Sequence, residues 1–112
     1  MDDVQRTELL AALDAATGPS RELDYAIAAA VGWPDAPYSK QHARRYTESM
    51  DAALTLVPVE RMWFVGHMDP SDMRYAATIS EIGNIGAASW RGVHATPALA
   101  LCIAALRARG EG

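Results

Sequence analysis

Met62-Trp63-Phe64-Val65, then Met68-Asp69-Pro70-Ser71-Asp72, then Met73 to Ile79 with Tyr75, Thr78 and Ile79: this stretch decides how the chain is built. The first run favours a strand, because aromatic and β-branched side chains fit a pleated, half-buried surface. The second is turn chemistry, since Asp, Pro and Ser supply fixed backbone angles and local hydrogen bonds. The third returns as a strand, and the three together spell a β-hairpin. Gly83-Asn84 between Ile82 and Ile85 has the order of a tight type II′ turn, which sends a third strand toward Trp90. That strand is weak, because Gly86, Ala87 and Ala88 have little to pack. The expected sheet is an antiparallel meander.

On both sides of this stretch the apolar period changes from two residues to the helical one. Leu9, Leu10, Leu13 and Ala16 line one face of a helix over residues 4 to 16. Thr17-Gly18-Pro19-Ser20 breaks it, and Leu23, Ile27, Ala30 and Val31 form the stripe of a second helix that ends near Gly32. Thr47 or Ser49 caps a third, with Met50, Ala53, Leu54 and Val57 on its stripe and Pro58 as its stop. Beyond the sheet, Thr96-Pro97 is a cap followed by proline at the first helical position, and Leu99, Cys102, Ile103 and Leu106 form the fourth stripe. Arg107 and Arg109 suit the dipole at its end, and Gly110 is placed to stop it. Helices, then a meander, then a helix is an α+β pattern: a three-stranded antiparallel sheet packed with about four helices. With 112 residues, this is one domain, 1–112, as 112 residues are too few for two separate cores.

Half the chain is apolar, but 22 of those residues are alanine, which brings little area to a core. A thin core implies close alanine packing and some apolar surface left for a partner, for which a homodimer is one form. The net charge of −4 argues against nucleic-acid binding by overall positive field. One cysteine, Cys102, makes no internal disulfide and starts no paired-cysteine zinc pattern. The acidic start, Met1-Asp2-Asp3, is unlike a secretory signal, and the longest apolar run, Ala98 to Leu106, is far short of a membrane span. The expectation is a cytoplasmic protein with no membrane contact.

No catalytic set converges in the sequence. His42, His67 and His94 have no helical ligand spacing, and His67 with Asp69 and Asp72 reads as turn chemistry before it reads as a metal site. Ser89 lacks the glycines of a nucleophile elbow, Gly83-Asn84-Ile85-Gly86 lacks the ending of a phosphate loop, and Cys102 stands on an apolar stripe as an inert thiol. Glu22 and Asp24, two apart, point away from each other on a helix and read as a solvated first turn. No enzyme activity, cofactor or metal is expected. The binding candidates are Trp33, Tyr38, Lys40, His42, Arg44 and Arg45, the local cluster of bases and aromatics in an acidic chain, with Trp90 and Arg91 at the sheet. Arginine and aromatics dominate protein hot spots, and the same mixture stacks on and neutralises nucleic acid; a solvated loop is the plainer alternative. Trp63 and Phe64, being adjacent, face opposite sides of their strand: both are core if helices cover both faces, and one marks a contact surface if only one face is covered.

Three stretches carry a resemblance: Ala16-Thr17-Gly18-Pro19-Ser20-Arg21-Glu22-Leu23-Asp24 with Ala26-Ile27, then Tyr46-Thr47-Glu48-Ser49-Met50-Asp51-Ala52-Ala53-Leu54-Thr55-Leu56-Val57-Pro58, then Ala95-Thr96-Pro97-Ala98-Leu99-Ala100-Leu101-Cys102-Ile103-Ala104-Ala105-Leu106-Arg107-Ala108-Arg109. In this order they resemble small phage and prophage proteins common in alphaproteobacteria, related to the phage ABA sandwich domain. The resemblance covers a little under half of the chain and leaves residues 59–94 unmatched. It implies an α/β/α sandwich-like fold in a phage accessory protein and no catalytic residues. The leading expectation is a non-enzymatic protein that binds a host or phage protein, inhibition of a bacterial defence such as CRISPR being one version. A nucleic-acid-binding accessory role through the 33–46 loop is second.

Overall fold

The computed structural model describes residues 3–31, 44–57, 61–69, 74–81 and 89–111. The elements run α1 (Asp3–Ala15), α2 (Arg21–Val31), α3 (Met50–Leu54), β1 (Arg61–Asp69), β2 (Arg74–Glu81), β3 (Ser89–His94) and α4 (Pro97–Glu111). The strands form one antiparallel sheet in the order β1-β2-β3, so the fold is α+β with the expected meander.

The fourth helix organises the molecule. Thr96 caps it as its sequence predicts, its Oγ1 accepting from the Leu99 amide at 3.2 Å and its carbonyl from the Ala100 amide at 3.0 Å. The expected single stripe is exceeded: every residue from Ala98 to Leu106 is buried, on all sides of the helix. One side packs on β2 and β3, and α1 and α3 pack on the rest. A helix that is apolar all round belongs inside a protein, and the alanines between the stripe residues are what let it sit there. The layers are the sheet, then α4, then the other helices, sandwich-like with α4 in the middle. Gly110 does not stop it, for the helix continues to Glu111. Its arginines reach outward instead: Arg107 donates to the Arg91 carbonyl on β3, and Arg109 Nε to the Leu56 carbonyl at 2.8 Å.

Helix and sheet come close together at Gly92. A Cβ there would stand 2.7 Å from the Ala104 nitrogen, 2.8 Å from the Ile103 Cβ and closer still to the Ala100 carbonyl oxygen. Glycine lets the β3 backbone rest directly on the alanines of α4. This explains why the third strand extends past Trp90 to His94 rather than running toward Trp90 and stopping: glycine lowers β propensity and hides the strand, but packing demands it. The expected tight turn at Gly83-Asn84 lies outside the described residues. In the hairpin, β1 extends through Met68 and Asp69, which were expected in the turn, with an irregular register between His67 and Asp69. In the ladder Arg61 stands opposite Glu81, and Asp69 opposite Arg74.

The remaining joints are polar. Ser20 caps α2, accepting from the Leu23 amide at 3.3 Å, and Ser49 caps the short α3, accepting from the Ala52 amide at 3.3 Å. That leaves Thr47, the other expected cap, for a different task. His94 at the end of β3 donates from Nε2 to the Ala16 carbonyl after α1, 2.8 Å away, and its Nδ1 receives the Thr96 amide at 3.4 Å. The pairing fixes the tautomer, since one ring nitrogen must donate while the other accepts.

Candidate interaction surface

Register assigns each sheet residue to a face, because directly paired residues in an antiparallel ladder share one. Val65, Ala77 and Gly92 form one cross-strand row, Trp63, Ile79 and Trp90 the next, and both rows face α4. Met62 pairs with Ser80, and Phe64, Thr78 and Arg91 form a row on the opposite face. No described helix lies over that face. Phe64 is 69% exposed and Met62 57% exposed on it. The Phe64 ring lies along its own strand over Gly66, where a Cβ would meet ring atoms at 3.1 and 3.2 Å. Trp63 faces the α4 side yet is 49% exposed, because α4 crosses β2 and β3 and barely reaches β1. Of the two outcomes the sequence leaves open, the described residues show one covered face, and the edge position of β1 exposes Trp63 as well. Apolar side chains of this size, contiguous and uncovered, mark contact surfaces in soluble proteins.

The expected binding residues divide differently. Trp33, Tyr38, Lys40 and His42 lie outside the described residues. Arg44 and Arg45 are exposed ahead of the turn at 46–48, and Arg45 pairs with Glu48 at 3.2 Å, an open ion pair worth little. Trp90 is half-buried on the α4 side, with the Arg61 guanidinium 4.8 Å above its ring, and so packs as part of the sheet's inner side. Arg91 is exposed on the open face. Adjacent on one strand, Trp90 and Arg91 point to opposite faces and do not form one site. Met62 was missed by sequence reading; its place beside Phe64 on an uncovered face is set by tertiary packing.

Asp24 corrects the expectation of a solvated first turn, for it is fully buried. Its Oδ1 accepts from both the amide and the hydroxyl of Thr47, each at 2.8 Å, and its Oδ2 from Arg21 at 2.9 Å. Thr47 Oγ1 in turn accepts the Ser20 amide at 2.9 Å. A carboxylate so surrounded pins the start of α2 to the turn before α3, and every partner it has is structural. Cys102 is also spoken for: its thiol donates to the Tyr46 carbonyl at 3.1 Å. Burial pushes the Cys102 thiol far up and raises the Tyr46 hydroxyl as well, which keeps the thiol protonated and unreactive.

These two shifts carry a pH dependence. Both native values lie above the unfolded ones of about 8.5 for Cys and about 10 for Tyr. Stability is therefore undiminished below about pH 8.5 and falls as pH rises through the unfolded toward the native values. Urea unfolding of wild type and Cys102→Ala between about pH 8 and 11 checks this: the variant is expected to show a shallower alkaline decline, and parallel curves would refute the assignment.

An open groove of about 400 Å³ runs between α1 and α2, with Leu9, Ala26, Ala29 and Ala30 on its wall and Glu8 and Tyr25 among its rim. A smaller hollow of about 220 Å³ lies at the start of α2, where Arg21 and Arg45 are each already paired with a carboxylate. Among the described residues no three metal-ligating side chains come together; the side chains of His67, Asp69 and Asp72 lie outside the description. No described helix is long and apolar enough to cross a membrane. No family model matches the sequence, and no curated protein and no solved structure matches it either.

Proposed function

We propose that this chain is a non-enzymatic phage or prophage accessory protein that acts in the cytoplasm by binding a host or phage protein. The observation that carries the reading is the uncovered side of the sheet, where Phe64 and Met62 stand exposed on a face no described helix covers. Large aromatic and thioether side chains are the types enriched at interface centres, where full desolvation makes each of them count. Arg91 on the same face adds a charge suited to the rim. The phage assignment rests on the three resembling stretches, and inhibition of a host defence is its most specific form.

The test is capture from host lysate followed by reconstitution with the purified partner. Wild type is expected to hold a defined protein with measurable Kd, and Phe64→Lys to weaken it at least about tenfold, which corresponds to about 1.4 kcal/mol. A partner bound equally well by Phe64→Lys would remove the open face from the mechanism. The nucleic-acid reading gains less support, since Tyr46, the aromatic beside Arg44 and Arg45, is buried and offers no ring for a base to stack on; a salt-dependent shift of labelled DNA or RNA lost in the Arg44→Ala, Arg45→Ala double variant would restore it.

A further inference from the structure

The exposed apolar residues of β1 lie on both of its faces: Met62 and Phe64 on the open side, Trp63 on the side of α4. A partner resting on the open face alone would leave Trp63 uncovered. A strand laid along the edge of β1 would flank all three, since its own side chains alternate above and below the same plane. Among the described strands β1 is the edge to fill, for its ladder runs with β2 alone and the strand order places it outermost. Between Arg61 and His67 it carries no charge and no proline, two of the devices that keep open edges apart, and the irregularity in its ladder lies beyond that stretch, between His67 and Asp69.

We propose that a second copy of this chain occupies that edge, β1 pairing antiparallel with β1 about a two-fold axis and joining the two sheets into one. Charge favours this occupant and this direction. In sequence β1 begins on a base, Arg61, and ends on an acid, Asp69, so an antiparallel copy places residues of unlike charge opposite one another at the two ends of the pairing. A parallel copy would set like against like. The axis closes the assembly, because each copy uses its own β1 edge on the other. Area agrees as well. Toward the ~800 Å² each partner gives to a standard interface, Trp63 and Phe64 offer part of the roughly 250 Å² that their rings expose, at aromatic areas of about 150–250 Å², a strand at the edge covering their flanks. The outward backbone of nine residues and the flanking surface supply the rest. The dimer also doubles the open face, setting two Phe64 side chains on one side of one sheet.

Sedimentation equilibrium of the purified chain over a concentration series, with amide hydrogen exchange at both ends of the series, tests this without any other protein. The mass is expected to double from 12.1 kDa, with β1 amides exchanging at least about tenfold more slowly in the dimer. Trp63→Lys and Phe64→Lys are each expected to weaken self-association at least about tenfold. Phe64, more than two-thirds exposed, makes the second variant safe for folding, which circular dichroism verifies. A mass fixed at 12.1 kDa, a dimer in which β1 exchange is unchanged, species larger than the dimer, or self-association indifferent to both lysines would each overturn the proposal.

Discussion

Gly92→Ala is expected to be the most damaging single-methyl change in this protein, costing about 3 kcal/mol or more and lowering Tm by roughly 10 °C or more. The added carbon would collide with backbone on α4, near the Ala104 nitrogen at 2.7 Å and the Ala100 carbonyl, and neither can rotate away as a side chain would. Relief requires α4 to move off β3, and α4 is the layer on which β2, β3, α1 and α3 all rest. The strain therefore spreads to both sides of the molecule. Thermal and urea unfolding measure it, with Gly66→Ala as the comparison: a Cβ there meets only the tip of the exposed Phe64 ring, which can swing aside. A loss below about 1 kcal/mol at Gly92 would show that helix and strand are not in backbone contact.

Asp24→Ala should cost about 3 kcal/mol, the second large effect. Removing the carboxylate strands the buried Thr47 amide, takes the nearer acceptor from the Thr47 hydroxyl and removes the Asp24 contact of Arg21. The hydroxyl retains a longer contact to the Ser20 carbonyl at 3.2 Å, which softens the loss but does not replace the amide's acceptor. Thr47→Val alone should cost about 1–2 kcal/mol, by breaking the same joint from the other side. Because both act on one network, the double variant should cost less than the two single losses added, by at least about 0.5 kcal/mol. Strict additivity in urea unfolding would mean that the joint between α2 and the 46–48 turn does not act as a unit.

Elements marked by local chemistry were legible in the sequence. Thr96-Pro97 announces α4, Ser20 announces α2, and the change from helical to alternating period at Met62 announces the hairpin. Features created by tertiary contact were not. The extent of β3 is hidden by Gly92, a residue chosen for the space it leaves and not for strand propensity. Asp24 looks like an ordinary first-turn acid because its partner Thr47 is 23 positions away. The arginines at the end of α4 look like dipole partners, whereas they bind carbonyls of β3 and of the segment after α3. At the candidate surface, alternation places Trp63 and Phe64 on opposite faces but cannot say which face a helix covers. That depends on where α4 crosses the sheet, which Gly92 and the alanines of α4 determine. The abundance of alanine, which suggests helices lying close to one another, also serves a helix lying close to a strand.

The claim that the uncovered side of the sheet is the functional surface is tested most directly by a matched pair of variants. Phe64→Lys and Val4→Lys each put a charge in place of an apolar side chain about two-thirds exposed, the first on the open sheet and the second on α1. Both should melt close to wild type. With the purified partner, Val4→Lys is expected to bind as wild type does and Phe64→Lys at least about tenfold more weakly. Equal binding by the two variants, or a loss confined to Val4→Lys, would contradict it.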